Sequence, residues 1–193
     1  MFSSIGVIVD GRAEEEFFKA TLPGCRTRRN LCNGRDVPLE RIARDIITSC
    51  ESFAEPISAI IAKIDREQRN ESRAEIFLTL SDLIADKVRP RLVILAIADR
   101  CLENWILADV DKMKELSGLE AYSYDYEGRQ GKPILRNVLS AGDIPFIKTA
   151  RLLAGSNSDC IRRNSASFSH FSSLITFAWP WMNDRDPFVE AET

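Results

Sequence analysis

Ile5-Gly-Val-Ile-Val9 runs directly into Asp10-Gly-Arg-Ala-Glu14. The first five residues are apolar enough to read as a buried strand. Phe17, Phe18 and Leu22 then fall on one face of a following helix. The aspartate–glycine pair at this junction sets a carboxylate at the carboxyl end of the strand, and Glu14 lies one helical turn further on. Ligands of open α/β sheets bind at that edge. Two later apolar runs also lead to acids. Residues 57–64 (ISAIIAKI) are followed by Asp65 and Glu67, and Leu92–Ala98 (LVILAIA) is followed by Glu103. If these strands lie parallel, their acids converge on one edge.

Between the apolar runs lie helical stripes. Leu39, Ile42, Ala43, Ile46, Ile47 and Cys50 recur at i, i+3, i+4, i+7, i+8 and i+11, behind the opening Asp36-Val-Pro38. Ile76, Phe77, Leu80, Leu83, Ile84 and Val88 mark a second stripe. Leu102, Trp105, Ile106, Val110 and Met113 mark a third, read as one helix. Residues 25–32 read as a polar edge strand, closed by the turn Asn33-Gly34. Strands that alternate with helices in this way predict an α/β fold: a parallel sheet of about four strands, right-handed crossovers and helices on both faces. After Gly118 the pattern changes. Residues 121–131 form a polar, tyrosine-bearing loop, and short helices follow near 133–139, 143–153 and 165–178. The expected organisation is an α/β domain over 1–118 with a small helical C-terminal part, 119–193, packed on it. The acidic tail 184–193 is expected to fray.

A chain of 193 residues with 45% hydrophobic and 28% charged residues can build a full core. Its net charge of −3 gives no global pull toward nucleic acid, so any such contact needs a local patch. No apolar run has the length of a membrane span. Asp10 and Arg12 interrupt the first apolar stretch too early for a secretory signal. The 5 cysteines are odd in number and show no CxxC pair, which reads as free thiols in a reducing cytoplasm. His170 is the sole histidine, which argues against zinc and against a Ser-His-Asp or Cys-His nucleophile.

Asp65 and Glu67 occupy alternate positions just past a buried strand. In an extended chain both point to one side. Hard oxygen ligands at that spacing suit Mg²⁺ or Mn²⁺. Together with Asp10 they would clamp a phosphodiester and activate a water. Plainer readings stand beside this one. Asp10 is also a good helix N-cap, and Glu14, Glu15 and Glu16 complement a helix dipole. Residues 65–73 read equally as a charged surface loop, and Glu103 as a helix cap. Trp105 suits a core, and Trp179-Pro-Trp181 a packing anchor. Arg26, Arg28, Arg29 and Arg35 form the basic cluster, either a charged sheet edge or a contact to phosphates.

The order of apolar strand, acid-Gly-x-x-Glu, helix, later strand and Asp-x-acid resembles the Toprim domain of topoisomerases, primases and the overcoming-lysogenization-defect nucleases. It is closer still to small stand-alone Toprim-like proteins of uncharacterised function. Those carry a strand ending in Glu-Gly-x-Thr-Glu and a later Glu-x-Trp-x-Leu-Ala-Asp helix. The second motif reads here Glu103-Asn-Trp-Ile-Leu-Ala-Asp109. Their C-terminal lysine helix and Ser-x-Ser-Phe-x-x-Phe segment look like Lys148-Thr-Ala-Arg-Leu-Leu-Ala and Ser165-Ala-Ser-Phe-Ser-His-Phe171. The resemblance spans nearly the whole chain. Asp10 stands where the family has Glu, Ala13 where it has Thr, and Glu67 where it has a second Asp. The resemblance implies a Toprim-like, Rossmann-like fold and a Mg²⁺- or Mn²⁺-dependent nuclease, in defence against foreign nucleic acid. Asp10, Glu14, Asp65 and Glu67 would then be catalytic. Asp10, Asp65, Glu67 and Glu103 would bind metal, and Arg26 and Lys148 would contact phosphate. Expected partners are DNA or RNA and a further protein, with no membrane. Two alternatives stay open: a non-catalytic module that binds nucleic acid or a partner protein, and an enzyme of nucleotide phosphoryl transfer.

Overall fold

The computed structural model describes residues 4–22, 24–53, 57–88, 91–142, 152 and 155–178. The expected helix over 143–153, apart from Leu152, lies outside these residues, as do Lys148, Trp179, Trp181 and the tail 184–193. Strands β1 (Ser4–Ile8), β2 (Arg26–Arg28), β3 (Ile57–Asp65) and β4 (Leu92–Ala98) form one parallel sheet in the order β2-β1-β3-β4. The helices among them are α1 (Arg12–Thr21), α2 (Leu39–Ser52) and α3 (Arg73–Ile84). Beyond β4 come α4 (Leu102–Leu107), α5 (Val110–Ser117), α6 (Gly131–Ala141), α7 (Ser158–Asn164) and α8 (Ala166–Ala178). The α/β class, the parallel four-stranded sheet and the helical C-terminal part are thus as the sequence predicts.

The faces follow from handedness. The first crossover steps from β1 to β2, toward one edge of the sheet. The second returns past β1 to β3, and the third goes on to β4. Right-handed crossovers travelling in opposite directions lay their helices on opposite faces. Helix α1 therefore covers one face, and α2 and α3 share the other. The packing agrees. Ile60, Ala62 and Ile64 of β3 form one core cluster with Ile42 and Ile46 of α2 and Ile76 and Leu80 of α3. Each fully buried isoleucine contributes about 1.5–3 kcal/mol. Phe17 and Phe18 of α1 are buried as well, their rings 5.0 Å apart edge to face.

Local signals set the element ends. Ser72 accepts the Glu75 amide at 3.2 Å, and the Glu75 carboxylate accepts the Ser72 amide at 2.7 Å. That reciprocal box starts α3. The polar edge strand is shorter than the expected 25–32, with ladder pairing to β1 only over Arg26–Arg28. Its anchor is Glu15, which accepts hydrogen bonds from Lys19 and Thr27 at 2.7 Å and pairs with Arg29 at 2.9 Å. Glu15 therefore ties α1 to the edge strand rather than forming only a solvated first turn.

By its contacts the chain divides into two compact units, Met1–Ile97 and Ala98–Thr193. In the second unit the expected single helix over 102–113 is two helices, α4 and α5. Asp109 separates them. Its carboxylate accepts the Lys112 amide at 3.2 Å and the Asn157 amide at 2.7 Å, which caps α5 and holds the start of α7. Gly118 stops α5 in a left-handed turn, φ 67°. Trp105 is fully buried as expected. It stacks on Phe171 at 5.4 Å, meets Phe168 edge-on at 5.2 Å, and donates its indole N–H to Ser167 at 2.9 Å. The 121–131 loop is less polar in fact than in sequence, because Tyr122 is buried and donates its hydroxyl to the Leu107 carbonyl at 2.7 Å.

Among the described residues no helix is long and apolar enough to cross a membrane. All 5 cysteines are free. Burial pushes the Cys25 and Cys50 thiols up to about 11, so neither supplies a thiolate near neutral pH.

The Glu15 contacts carry a pH signature. Its hydrogen bonds to Lys19 and then to Thr27 hold its carboxyl below the ordinary 4.5. A depressed folded-state value stabilises above the unfolded value and is lost as pH falls through the folded one. Glu15→Gln should therefore be less stable than wild type at pH 7 in urea titrations. The gap should close as pH falls below about 4.5, and a gap that stays constant down to pH 3 would contradict the Glu15 link.

Candidate functional site

The strand order reverses at β1 and β3. The helices that follow these strands, α1 after β1 and α3 after β3, go to opposite faces, the arrangement that opens a crevice at the carboxyl ends of two such strands. The register sets Ile8 beside Ala62. Continued upward, it brings Val9 and Asp10 level with Lys63 and Ile64, with Asp65 at the rim.

Asp10 is exposed and stands one residue ahead of the N-cap of α1, which is Gly11. The cap position itself is thus filled by a glycine and not by the aspartate. A Cβ at Gly11 would lie 2.6 Å from Oε2 of Glu14, the movable end of that side chain. The Glu14 side chain folds back over the first turn, where the helix dipole favours a carboxylate.

Asp65 ends β3 and is buried, 7% exposed. Strand alternation puts it in the same row as Lys63. That row faces away from the cluster of Ile60, Ala62 and Ile64, and so lies on the α1 side of the sheet. Lys63 is 1% exposed, and its ammonium is paired with Oδ1 of Asp65. Such a pair balances desolvation against attraction, and removing either partner strands a buried charge.

Glu67 departs from the expected arrangement. The chain is not extended past Asp65. Glu67 sits in a turn with φ 54°, a left-handed conformation that a glutamate rarely adopts. The strand alternation that would align it with Asp65 ends at Asp65. Arg69 explains the turn. It is 6% exposed and donates to the Gly34 and Val37 carbonyls at 2.6 Å each, clamping the loop after β3 to the loop after β2. Arg66 donates to the Glu71 carbonyl at 2.6 Å inside the same loop.

The four arginines of the basic cluster stand at different levels along the sheet. Arg26 opens β2 and pairs with Gly6, about 13 Å along the strand from the level of Asp10. Arg28 lies 4.9 Å over the Phe53 ring, and Arg29 pairs with Glu15. Arg35 donates to Gln68 at 3.2 Å. The guanidiniums of Arg28, Arg29 and Arg35 brace the edge strand and the loops. Lys148, the other expected phosphate contact, lies outside the described residues.

Glu103 belongs to the second unit, on α4. Cys101 is the N-cap there, and its amide is taken by Asn104 at 3.2 Å, so Glu103 is not the cap. Glu103 is buried, and its Oε2 has no hydrogen-bond partner among the described residues. Asp109 and Trp105 of the same string hold the unit together, as described above.

Two further charged residues stand at the strand ends. Lys63 is the one charge in an otherwise apolar run, two places before Asp65, and that is a readable signal. Asp99 directly follows β4 and accepts the Gly128 amide. Its position behind an apolar strand matches that of Asp10.

Among the described residues no group of three or more His, Cys, Asp or Glu side chains is arranged to hold a metal ion. The acids at the carboxyl ends of β1 and β3 are Asp10 and Asp65, with Asp65 paired to Lys63; a hard cation needs only one or two carboxylates beside water and a phosphate, not a cage of three acids. No protein-family model matches the chain, and neither a curated protein nor a solved structure is detectably similar to it.

The Lys63 pair sets an expectation for mutants. On sequence alone Asp65→Asn would leave the fold intact, even slightly stabilised by relief of acid repulsion. Asp65→Asn leaves a buried ammonium and Lys63→Met a buried carboxylate, so each should cost about 3–5 kcal/mol in urea denaturation. Lys63→Met with Asp65→Leu should cost less than either single change. Additive losses would show that the two side chains do not interact.

Proposed function

We propose that this chain is a Mg²⁺- or Mn²⁺-dependent phosphodiester-cleaving enzyme, a nuclease acting on DNA or RNA, with its site in the crevice between β1 and β3. One observation carries the reading: Asp10 and Asp65 stand at the carboxyl ends of the two strands that flank the topological switch point. The resemblance to Toprim-like proteins points to the same acids and to a role in defence against foreign nucleic acid. Asp10 and Asp65 would hold the cation. When bound, it supplies Lewis-acid charge to the phosphate and lowers the pKa of a water. Asp10, which is exposed, is reachable by a substrate and is placed to take or give a proton. Glu14 keeps the first turn of α1 electronegative beside it. Lys63 fixes the Asp65 carboxylate. With a net charge of −3, binding rests on local contacts around the crevice rather than on the field of the whole protein.

A second reading is a non-catalytic module that binds nucleic acid or a partner protein. Its support is also specific. The charge of Asp65 is already met by Lys63, and Glu67 is turned out of the strand row.

The two readings separate in solution. Under the first, Mn²⁺ should raise the melting temperature of the wild type, since a ligand of the native state stabilises it. A panel of single- and double-stranded DNA and RNA should show cleavage that EDTA stops. Asp65→Asn, assayed where circular dichroism shows it folded, should lose about 10²-fold or more in rate. Asp10→Glu, the residue of the resembled family, should keep or increase activity. A folded Asp65→Asn protein that cleaves at the wild-type rate would remove the catalytic reading and leave the binding module.

A further inference from the structure

Lys63 is a charge with no access to water, set inside the strand that delivers Asp65 to the crevice. Two other carboxylates of this unit are met from the surface. Glu15 pairs with Arg29 and Asp45 with Arg41, and both guanidinium side chains are 55% exposed. Those cations can swing into solvent. The Lys63 side chain is 1% exposed and cannot. Its ammonium lies inside the protein against Asp65.

Two cations on one carboxylate repel each other, and the repulsion grows as water is excluded. A divalent ion arriving at Asp65 must therefore either share the carboxylate with the ammonium or push it aside. Both cost binding free energy. A phosphate brings negative charge of its own and offsets the second cation. We infer that Lys63 is a built-in competitor for the metal. It weakens divalent-cation binding to the free protein, so that the ion loads together with an anionic substrate instead of before it. Lys63 is on this view a positioning residue that acts through Asp65. The inference rests on the metal-dependent reading above. A buried pair of this kind is not needed for stability alone, because apolar residues of similar volume hold a strand at least as well.

Mn²⁺ alone is the probe. Its affinity is measured by titration calorimetry and electron paramagnetic resonance for wild type, Lys63→Met and Lys63→Arg. Lys63→Met should bind Mn²⁺ about tenfold more tightly than wild type, because a charge-assisted contact no longer opposes the ion. Lys63→Arg keeps the charge and should bind like wild type. Equal affinity in all three proteins, or weaker binding by Lys63→Met, would overturn the competition while leaving the metal-dependent reading in place. No Mn²⁺ binding by any of them would overturn both. If Lys63→Met does not fold, Lys63→Gln takes its place: it removes the charge but keeps a polar partner for Asp65, and it should bind Mn²⁺ more tightly than wild type, equal or weaker binding overturning the competition.

Discussion

A right-handed crossover has no choice of face once its direction along the sheet is given. That constraint organises the first ninety-odd residues. The chain steps outward to β2, then back across β1 to β3 and on to β4. The reversal alone sends α1 to one side and α2 with α3 to the other, and both faces of β1 and β3 become covered. Two consequences follow together. The central strands must be apolar almost throughout, as Val7, Ile8, Ile60, Ile61 and Ala62 are. And the crevice above them must be floored by whatever side chains the strands carry at their last residues. Chemistry is confined to that rim because the rows beneath it are filled by packing.

Lys63 sits at the boundary between those two demands. One row lower it would be an intolerable charge in a core. One row higher it would be an ordinary surface lysine. Where it stands, its stem takes an apolar position on the α1 side of the sheet and its ammonium reaches the only acid that shares its row on β3. The pair changes how the acids of this chain count. Asp10 and Asp65 occupy similar places in the topology, yet one is exposed and the other is held by an internal cation. Equal positions at strand ends do not make equal ligands.

The sheet and the helices around it were legible because their signals are periodic and survive small errors. A six-residue apolar run or an i, i+3, i+4 stripe still reads correctly when an end shifts by two residues. The same tolerance hid the break at Asp109: Trp105, Ile106, Val110 and Met113 stay in phase across the junction of α4 and α5. Register and turn geometry carry no such redundancy. Nothing in the string Arg26-Thr-Arg28 says that it lies beside Gly6 rather than beside Asp10. Nothing in Asp65-Arg-Glu67 says that the strand ends at the first residue and that Arg69 pulls the rest into a turn. The acids at the strand ends were therefore readable as positions, while their partners were not. Lys63 is the exception, since residues two apart on a strand share a face, and its pairing with Asp65 was available from spacing alone.

The string from Glu103 to Asp109 was the most distinctive stretch of the sequence, and its side chains are mostly spent on architecture. Trp105 closes an aromatic stack with Phe171, Asn104 holds the carbonyls of Tyr126 and Arg129, and Asp109 joins two helix starts. The Ser165–Phe171 segment is distinctive for the same reason, being the other half of that stack. Two segments sixty residues apart are thus one interlocking signature, and neither can drift without the other. That interlock lies within the second unit, while Asp10 and Asp65 belong to the first. A substitution at Asp10 or Asp65 leaves the stack intact, and loss of the stack removes no strand-end acid.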